Sequence, residues 1–164
     1  KMSCKDRIES ILLQALSETF ESLVFEEVVI QGIVEGSKHI DADGSWWVNI
    51  DIIEPFDSQL VLVVRKDLMI QYTEAIFGML DDEMPAETQI LDNLGELMNT
   101  FCGRIMALML PPDHSFRLGL PVAGEGLLPT PQGKFYTVNC LIGDNLVFLI
   151  VPENFCNHDF LSCI

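Results

Sequence analysis

Four positions on one predicted helix could do chemistry together. Asp92, Glu96, Asn99 and Gly103 follow one another at spacings of four, three and four residues. At about 100° per residue, these spacings place them on one arc of a helix whose opposite side is apolar. The two acids can accept hydrogen bonds or pair with a cation, and the amide can both donate to and accept from one water molecule. The segment therefore predicts a polar face that is directed outward.

The same residues carry a family resemblance. Asp92, Glu96 and Asn99, followed by Pro121, resemble the signature of the chemotaxis phosphatases CheC, CheX and FliY, which remove phosphate from the response regulator CheY. In that family an Asp or Ser is followed by a Glu, an Asn and, further on, a proline. The acidic and amide positions match, and the proline of this chain comes one position early. CheX is the member that the chain resembles most, because only one of its two halves keeps both the acid and the amide of the motif.

The resemblance implies a role for each residue. An aspartyl phosphate is an activated acyl phosphate, so its hydrolysis needs a water held in line with the phosphorus and no covalent nucleophile. Asn99 is expected to position that water, and Glu96 to dock to the regulator's active-site lysine. Asp92 and Gly103 are expected to bind the partner, since a missing side chain lets another backbone approach closely. The resemblance implies no cofactor in this chain and Mg²⁺ on the partner receiver domain.

Two other interpretations of this face remain open. A Glu and an Asn three residues apart also occur on the solvated face of an ordinary amphipathic helix. A non-catalytic adaptor could also keep the fold and bind a response regulator, or a chemotaxis or flagellar component, without useful hydrolysis. The intact Asn99 favours hydrolysis, because a pure binder is free to lose the amide.

Composition sets the broad class of the protein. With 164 residues, 49% of them hydrophobic, the chain can bury one sizeable core, and a single domain over residues 1–164 is expected. The formal net charge of −16 argues against binding to nucleic acid, which needs Lys and Arg to displace counterions. No apolar run is long enough to span a membrane, and the first residues lack the apolar run of a signal peptide. We therefore expect a cytoplasmic protein without membrane insertion.

Cysteine and histidine usage predicts no metal site. The five cysteines form no C-x-x-C pair, and their odd number indicates reduced thiols. Cys102 and Cys140 are expected in the core. His39, His114 and His158 are scattered, and no ligand spacing recurs among them.

The order of predicted elements repeats along the chain. Apolar periodicity predicts helices at 6–24, 67–78 and 88–110, and strands at 28–34, 46–53, 58–65, 118–123, 135–142 and 145–151. Asp67 and Thr88 are predicted N-caps, and Gly78 and Pro111 are predicted to end their helices. Residues 6–80 and 88–152 thus form an internal pseudo-repeat. We predict one CheX-like domain of α+β class, an α/β sandwich of two pseudo-symmetric helix-strand-hairpin halves with helices packed on a mainly antiparallel sheet.

The two halves differ at the motif. Aligning them sets Glu18 beside Glu96 and Glu21 beside Asn99, with Gln14 in place of Asp92. The first half keeps the acid and loses the amide, which indicates one live site and one degenerate site. That pattern is closer to CheX than to the two-site CheC proteins, and the resemblance further implies a homodimer built through sheet edges.

Overall fold

The computed structural model describes residues 4–80 and 82–156, with only the backbone described for residues 4, 5, 22–24 and 156. His158 and Cys163 lie outside the described residues. In chain order, the elements are α1 (Cys4–Val24), β1 (Val28–Glu35), β2 (Ser45–Glu54), β3 (Ser58–Arg65), α2 (Lys66–Phe77), α3 (Glu87–Met109), β4 (Arg117–Leu118), β5 (Val122–Gly124), β6 (Phe135–Ile142), β7 (Asn145–Pro152) and α4 (Glu153–Cys156).

The strands form one antiparallel sheet whose order reflects the two halves. The order is β1-β6-β7-β3-β2, and both β4 and β5 pair with the outer side of β2. The hairpins β2–β3 and β6–β7 meet at the centre, where Val61 pairs with Ile150 and Val64 with Val147. The first strand of each half lies on the outer side of the hairpin of the other half. The predicted pseudo-symmetric α+β fold is confirmed.

The helices cover one face of the sheet and bury the main core. On β2, alternate residues point to opposite faces, so Val48, Ile50 and Ile52 are fully buried under the helices, whereas Asp51 is exposed on the other side. The helices α1, α2 and α3 contact one another above the sheet. The residues that α3 buries are Ile90, Leu94, Leu97, Met98, Phe101, Cys102, Ile105, Met106 and Met109.

The opposite face of the sheet carries a smaller apolar cluster. Val61, Val63 and Ile150 are buried there, and the partly buried side chains of Trp47 and Phe148 pack against them. None of the described residues of this cluster belongs to a helix. The polar face of α3 therefore lies on the side of the sheet that the helices cover.

Both predicted N-caps are wrong. Strand β3 runs directly into α2, so that Arg65, with extended backbone, is the residue before the helix and Asp67 lies in the first turn. Helix α3 begins at Glu87, one residue before Thr88. Its start is secured by Gln89, whose Oε1 accepts a hydrogen bond from the backbone N–H of Ala86 at 2.9 Å.

The predicted helix ends are confirmed. Gly78 follows α2 in the left-handed conformation, with φ of 59°, which glycine adopts without steric penalty. Helix α3 stops at Met109, and Leu110 is extended, as expected for a residue that precedes a proline.

The single strand predicted at 118–123 is wrong, because it is divided into β4 and β5. The backbone N–H of Gly119 donates to the carbonyl oxygen of Asp51 at 2.7 Å, so this edge still follows β2. Pro121 has no N–H to contribute to a ladder, and regular pairing resumes only at Val122. The break turns Pro121 toward α3.

Candidate functional site

The four predicted site residues lie together on the solvent side of α3. Asp92, Glu96 and Asn99 are exposed, and Gly103 is part-exposed. On the other side of the helix, Leu94, Met98 and Phe101 are fully buried. The apolar side thus fixes the rotation of α3 about its axis and directs the polar arc away from the core.

The polar side chains of this arc make no interaction within the part of the chain that the structure describes. The carboxylates of Asp92 and Glu96 and the amide of Asn99 form neither a side-chain hydrogen bond nor an ion pair with a described residue. No hydrogen bond or ion pair within the described residues therefore engages these groups. All three are available to a partner.

The two glycines of α3 have different surroundings. A Cβ atom on Gly95 would lie 3.4 Å from Cγ of Pro121, so that residue packs directly over the glycine. A Cβ atom on Gly103 would meet no described atom within 4 Å. Gly95 thus has Pro121 as an internal neighbour at van der Waals distance, whereas Gly103 leaves an open patch beside Asn99, even though glycine costs about 1 kcal/mol of helix propensity relative to alanine.

An open groove runs beside the same face. It has a volume of about 680 Å³ and lies between the end of α2, the first half of α3 and β5. Phe77, Leu91, Pro121 and Ala123 form its apolar lining, and Asp92 and Glu96 line it on the polar side. We call this feature the α2–α3 groove. Asn99 and Gly103 lie further along α3, outside it.

The matching residues of α1 are held by contacts within the chain. Nε2 of Gln14 donates to Oε1 of Glu18 at 3.0 Å, and Oε2 of Glu18 lies 4.0 Å from Nε of Arg104. Glu21 accepts a hydrogen bond from the backbone N–H of Val28 at 3.2 Å, where β1 begins. The polar face of α1 therefore has structural roles.

Arg104 is a residue near the site that the sequence analysis missed. It is the only basic residue of α3, and it directly follows Gly103. Its Nη1 donates to Oγ1 of the buried Thr19 at 2.8 Å, which ties α3 to α1. Burial raises the pKa of Tyr72, and the charge of Arg104 opposes that rise. The sequence does contain a signal for Arg104, because it is the only cation among the acidic residues of α3.

Metal-ligand geometry is not present in the described part of the chain. No group of three or more His, Cys, Asp or Glu side chains lies close enough there to hold an ion.

Cys102 and Cys140 are buried as predicted, and burial raises the pKa of each thiol to about 12, so both are neutral thiols at neutral pH. None of the described helices combines the length and apolar composition required to cross a bilayer.

Comparison with known proteins shows the fold. No protein-family model and no curated protein sequence matches the chain. The chemotaxis protein CheX from Desulfovibrio desulfuricans superposes with a TM-score of 0.71 at 12% identity, over 88% of this chain and 97% of that one. FliY from Thermotoga maritima has a TM-score of 0.69 at 16% identity, over 95% and 92% of the two chains.

A third solved structure contains a partner. CheX in the CheX-CheY-BeF3-Mg²⁺ complex from Borrelia burgdorferi superposes with a TM-score of 0.63 at 11% identity, over 87% of this chain and 95% of that one. At such identities the likeness shows a shared fold. The resemblance to CheX, CheC-like and FliY proteins that the sequence predicted is confirmed at that level.

Proposed function

We propose that this chain, which shares the fold of the CheX and FliY chemotaxis proteins, is a phosphatase that hydrolyses the aspartyl phosphate of a CheY-like response regulator. The observation that carries the proposal is the exposed face of α3, where Glu96 and Asn99 have no partner among the described residues. The Borrelia burgdorferi CheX of the same fold is bound to CheY with BeF3 and Mg²⁺. A phosphorylated receiver domain is therefore the partner for which this face is proposed.

Asn99 is proposed to position the attacking water. An amide can accept a hydrogen bond from a water through its oxygen and donate another through its nitrogen, which fixes the orientation of that water. Unlike a carboxylate, the amide carries no charge, so it does not repel the phosphoryl oxygens as they approach. Holding a reactant in line supplies catalysis without a covalent intermediate.

Glu96 is proposed to dock the receiver one turn earlier on the helix. An ionised carboxylate is an acceptor only and is best satisfied by a cation, such as the active-site lysine of the receiver. We place the Mg²⁺ ion on the receiver.

Asp92 and Gly103 are proposed to border the docked receiver at opposite ends of the arc. Asp92 adds a second negative charge before Glu96, which favours the approach of a basic surface. Gly103 leaves open space after Asn99, where the backbone of the receiver can come close. The arc would then supply charge at one end and access at the other.

A homodimer is proposed through the free edge of β1. This strand pairs with β6 along one side, and no described strand pairs with its other side. The opposite margin of the sheet is divided into β4 and β5, and it offers no continuous edge of comparable length. An unpaired edge of eight residues presents a row of N–H and C=O groups to a second copy.

The test is the lifetime of the phosphorylated receiver. CheY-like receivers encoded in the same genome are phosphorylated with a small phosphodonor in the presence of Mg²⁺, and phosphate release is followed with and without the purified chain. We expect at least one receiver to lose phosphate about tenfold faster or more when the chain is present. Receivers that bind the chain and keep their own rate of phosphate loss would instead identify it as a non-catalytic adaptor.

A further inference from the structure

We propose that the α2–α3 groove is a second docking contact, which takes an apolar side chain of the receiver next to a basic one. The inference rests on the proposed function, since it assumes that a receiver is seated on α3. It assigns a role to Phe77 and Pro121, which line the groove and lie outside the catalytic pair of Glu96 and Asn99. That role is selection of the receiver.

The apolar part of the groove includes a large exposed side chain. Phe77, the last residue of α2, lines the groove and is 54% exposed. Gly78 follows in the left-handed conformation and ends the helix at Phe77. An aromatic side chain at the mouth of a groove can bury a substantial further area when a partner covers it.

The walls of the groove are fixed by contacts within the chain. Nδ2 of Asn93 donates to Oγ1 of Thr73 at 3.2 Å, which ties α3 to α2. Pro121 packs over Gly95, which fixes the segment between β4 and β5 against α3. The proline of the motif is therefore a wall of this groove. Because the groove exists before binding, a partner does not have to order its walls.

The negative charge of the groove indicates which kind of receiver side chain would enter it beside the apolar one. Asp92 and Glu96 lie at the groove, and neither has a partner among the described residues. The chain as a whole carries a formal net charge of −16. A basic side chain that enters beside the apolar one would meet two unpaired carboxylates.

The groove is continuous with the proposed catalytic face. Glu96 belongs to both, because it lines the groove and stands one turn before Asn99. We expect a receiver that is seated over Glu96 and Asn99 to extend over the mouth of the groove, because Glu96 lines it. The occupant we assign is thus the receiver surface beside its phosphorylation pocket.

Two neighbouring residues of α2 provide a matched test. Phe77 lines the groove and Ile76 does not, although both are large, apolar and exposed, at 54% and 41%. Phe77→Ser and Ile76→Ser are compared with the wild type in equilibrium binding of a BeF3-activated, Mg²⁺-loaded CheY-like receiver. The same preparations are used for steady-state hydrolysis of the phosphorylated receiver and for thermal melting.

We expect Phe77→Ser to weaken binding about tenfold or more, through the loss of one buried aromatic side chain. The Michaelis constant should rise by the same factor, and kcat should stay within about twofold. Ile76→Ser should change none of these values beyond about twofold. Equal binding by Phe77→Ser and Ile76→Ser would overturn the groove proposal while wild-type hydrolysis still upheld the phosphatase.

The two proposals can also fail in the other order. A wild-type chain that binds the BeF3-activated receiver through Phe77 but does not hydrolyse the phosphorylated receiver would overturn the phosphatase and support the groove. A wild-type chain that binds no activated receiver would overturn both.

Asp92→Asn tests whether a basic side chain of the receiver enters the groove, because removing this negative charge should make binding less dependent on salt. An unchanged salt dependence would remove that part of the proposal.

Discussion

Helices α1 and α3 lie side by side on the sheet and carry polar residues at matching positions, but they use these residues differently. On α1, Glu21 accepts the N–H of Val28, and Glu18 contacts both Gln14 and Arg104. On α3, the matching residues form no side-chain hydrogen bond or ion pair within the described part of the chain. The first helix uses its polar face to hold the fold together, and the second leaves its face open.

The ends of the two polar faces differ in the same sense. Gly103 has open space around it, whereas the aligned position after α1 is Phe25, which is 88% exposed and lies beyond the last helical residue. A bulky aromatic side chain thus stands where α3 has none. If α3 is the docking surface that we propose, acidic residues alone are not sufficient for docking, and unengaged side chains and room for another backbone are also required.

Among the substitutions that compare the two helices, a side chain added at Gly103 should have the largest effect on receiver binding and hydrolysis. Gly103→Leu should reduce receiver binding and hydrolysis by about 100-fold or more, because the new side chain would occupy the open space that we assign to the partner backbone. Its melting temperature should stay the same or rise, since the change removes a glycine penalty of about 1 kcal/mol from a helix. Melting and binding are measured on one preparation.

Thr100→Ala serves as the control for that change, because Thr100 is exposed on α3 beside the arc. It should bind and hydrolyse as the wild type does. Unaltered receiver binding by Gly103→Leu would mean that the partner approaches elsewhere.

The two aligned acids should differ by about tenfold. Glu96→Ala should weaken receiver binding by about that factor and lower the turnover rate, because it removes a charge that pairs with the receiver. Glu18→Ala should bind the receiver within about twofold of the wild type, because Glu18 contacts Gln14 and Arg104 within the chain and is not assigned a contact with the receiver. For each variant, binding is measured by titration with the activated receiver, and turnover is measured from the initial rate of hydrolysis. Equal losses for the two variants would contradict the assignment of a single site.

Glu21→Ala should have the smallest effect on function and should act on stability. Its removal leaves the backbone N–H of Val28 without this acceptor, which should lower the free energy of unfolding by about 1 kcal/mol. Hydrolysis should be nearly unchanged. Urea unfolding and the phosphatase assay are run in parallel, and a loss of activity as large as that of Glu96→Ala would mean that α1 also carries a working site.

The sequence predicted the parts of this comparison that depend on local patterns. The polar arc of α3 follows from a period of 3.6 residues, and the hairpins follow from alternation around short turns. Gly78 and Pro111 were recognisable as helix ends because their backbone preferences act locally. The exposed positions of Asp92, Glu96 and Asn99 could be predicted because the helical period places them opposite the apolar residues.

The remaining features depend on contacts between distant segments. Pro121 packs over Gly95 although the two residues lie on segments far apart in the sequence, and no local pattern indicates that contact. The N-cap predicted at Asp67 failed because β3 continues into α2 without a loop. The hydrogen bond from the N–H of Val28 to Glu21 is equally invisible in the sequence, and it distinguishes a structural acid from an available one.

The most direct test of the central claim is single-turnover hydrolysis by Asn99→Ala. The phosphorylated receiver is mixed with a saturating excess of the wild type or the variant, and binding of the BeF3-activated receiver is measured separately. The account predicts that phosphate release slows by about 100-fold or more while binding and melting temperature change little, since the variant loses only the group that positions the water. A variant that binds as the wild type does and hydrolyses at nearly the same rate would contradict it.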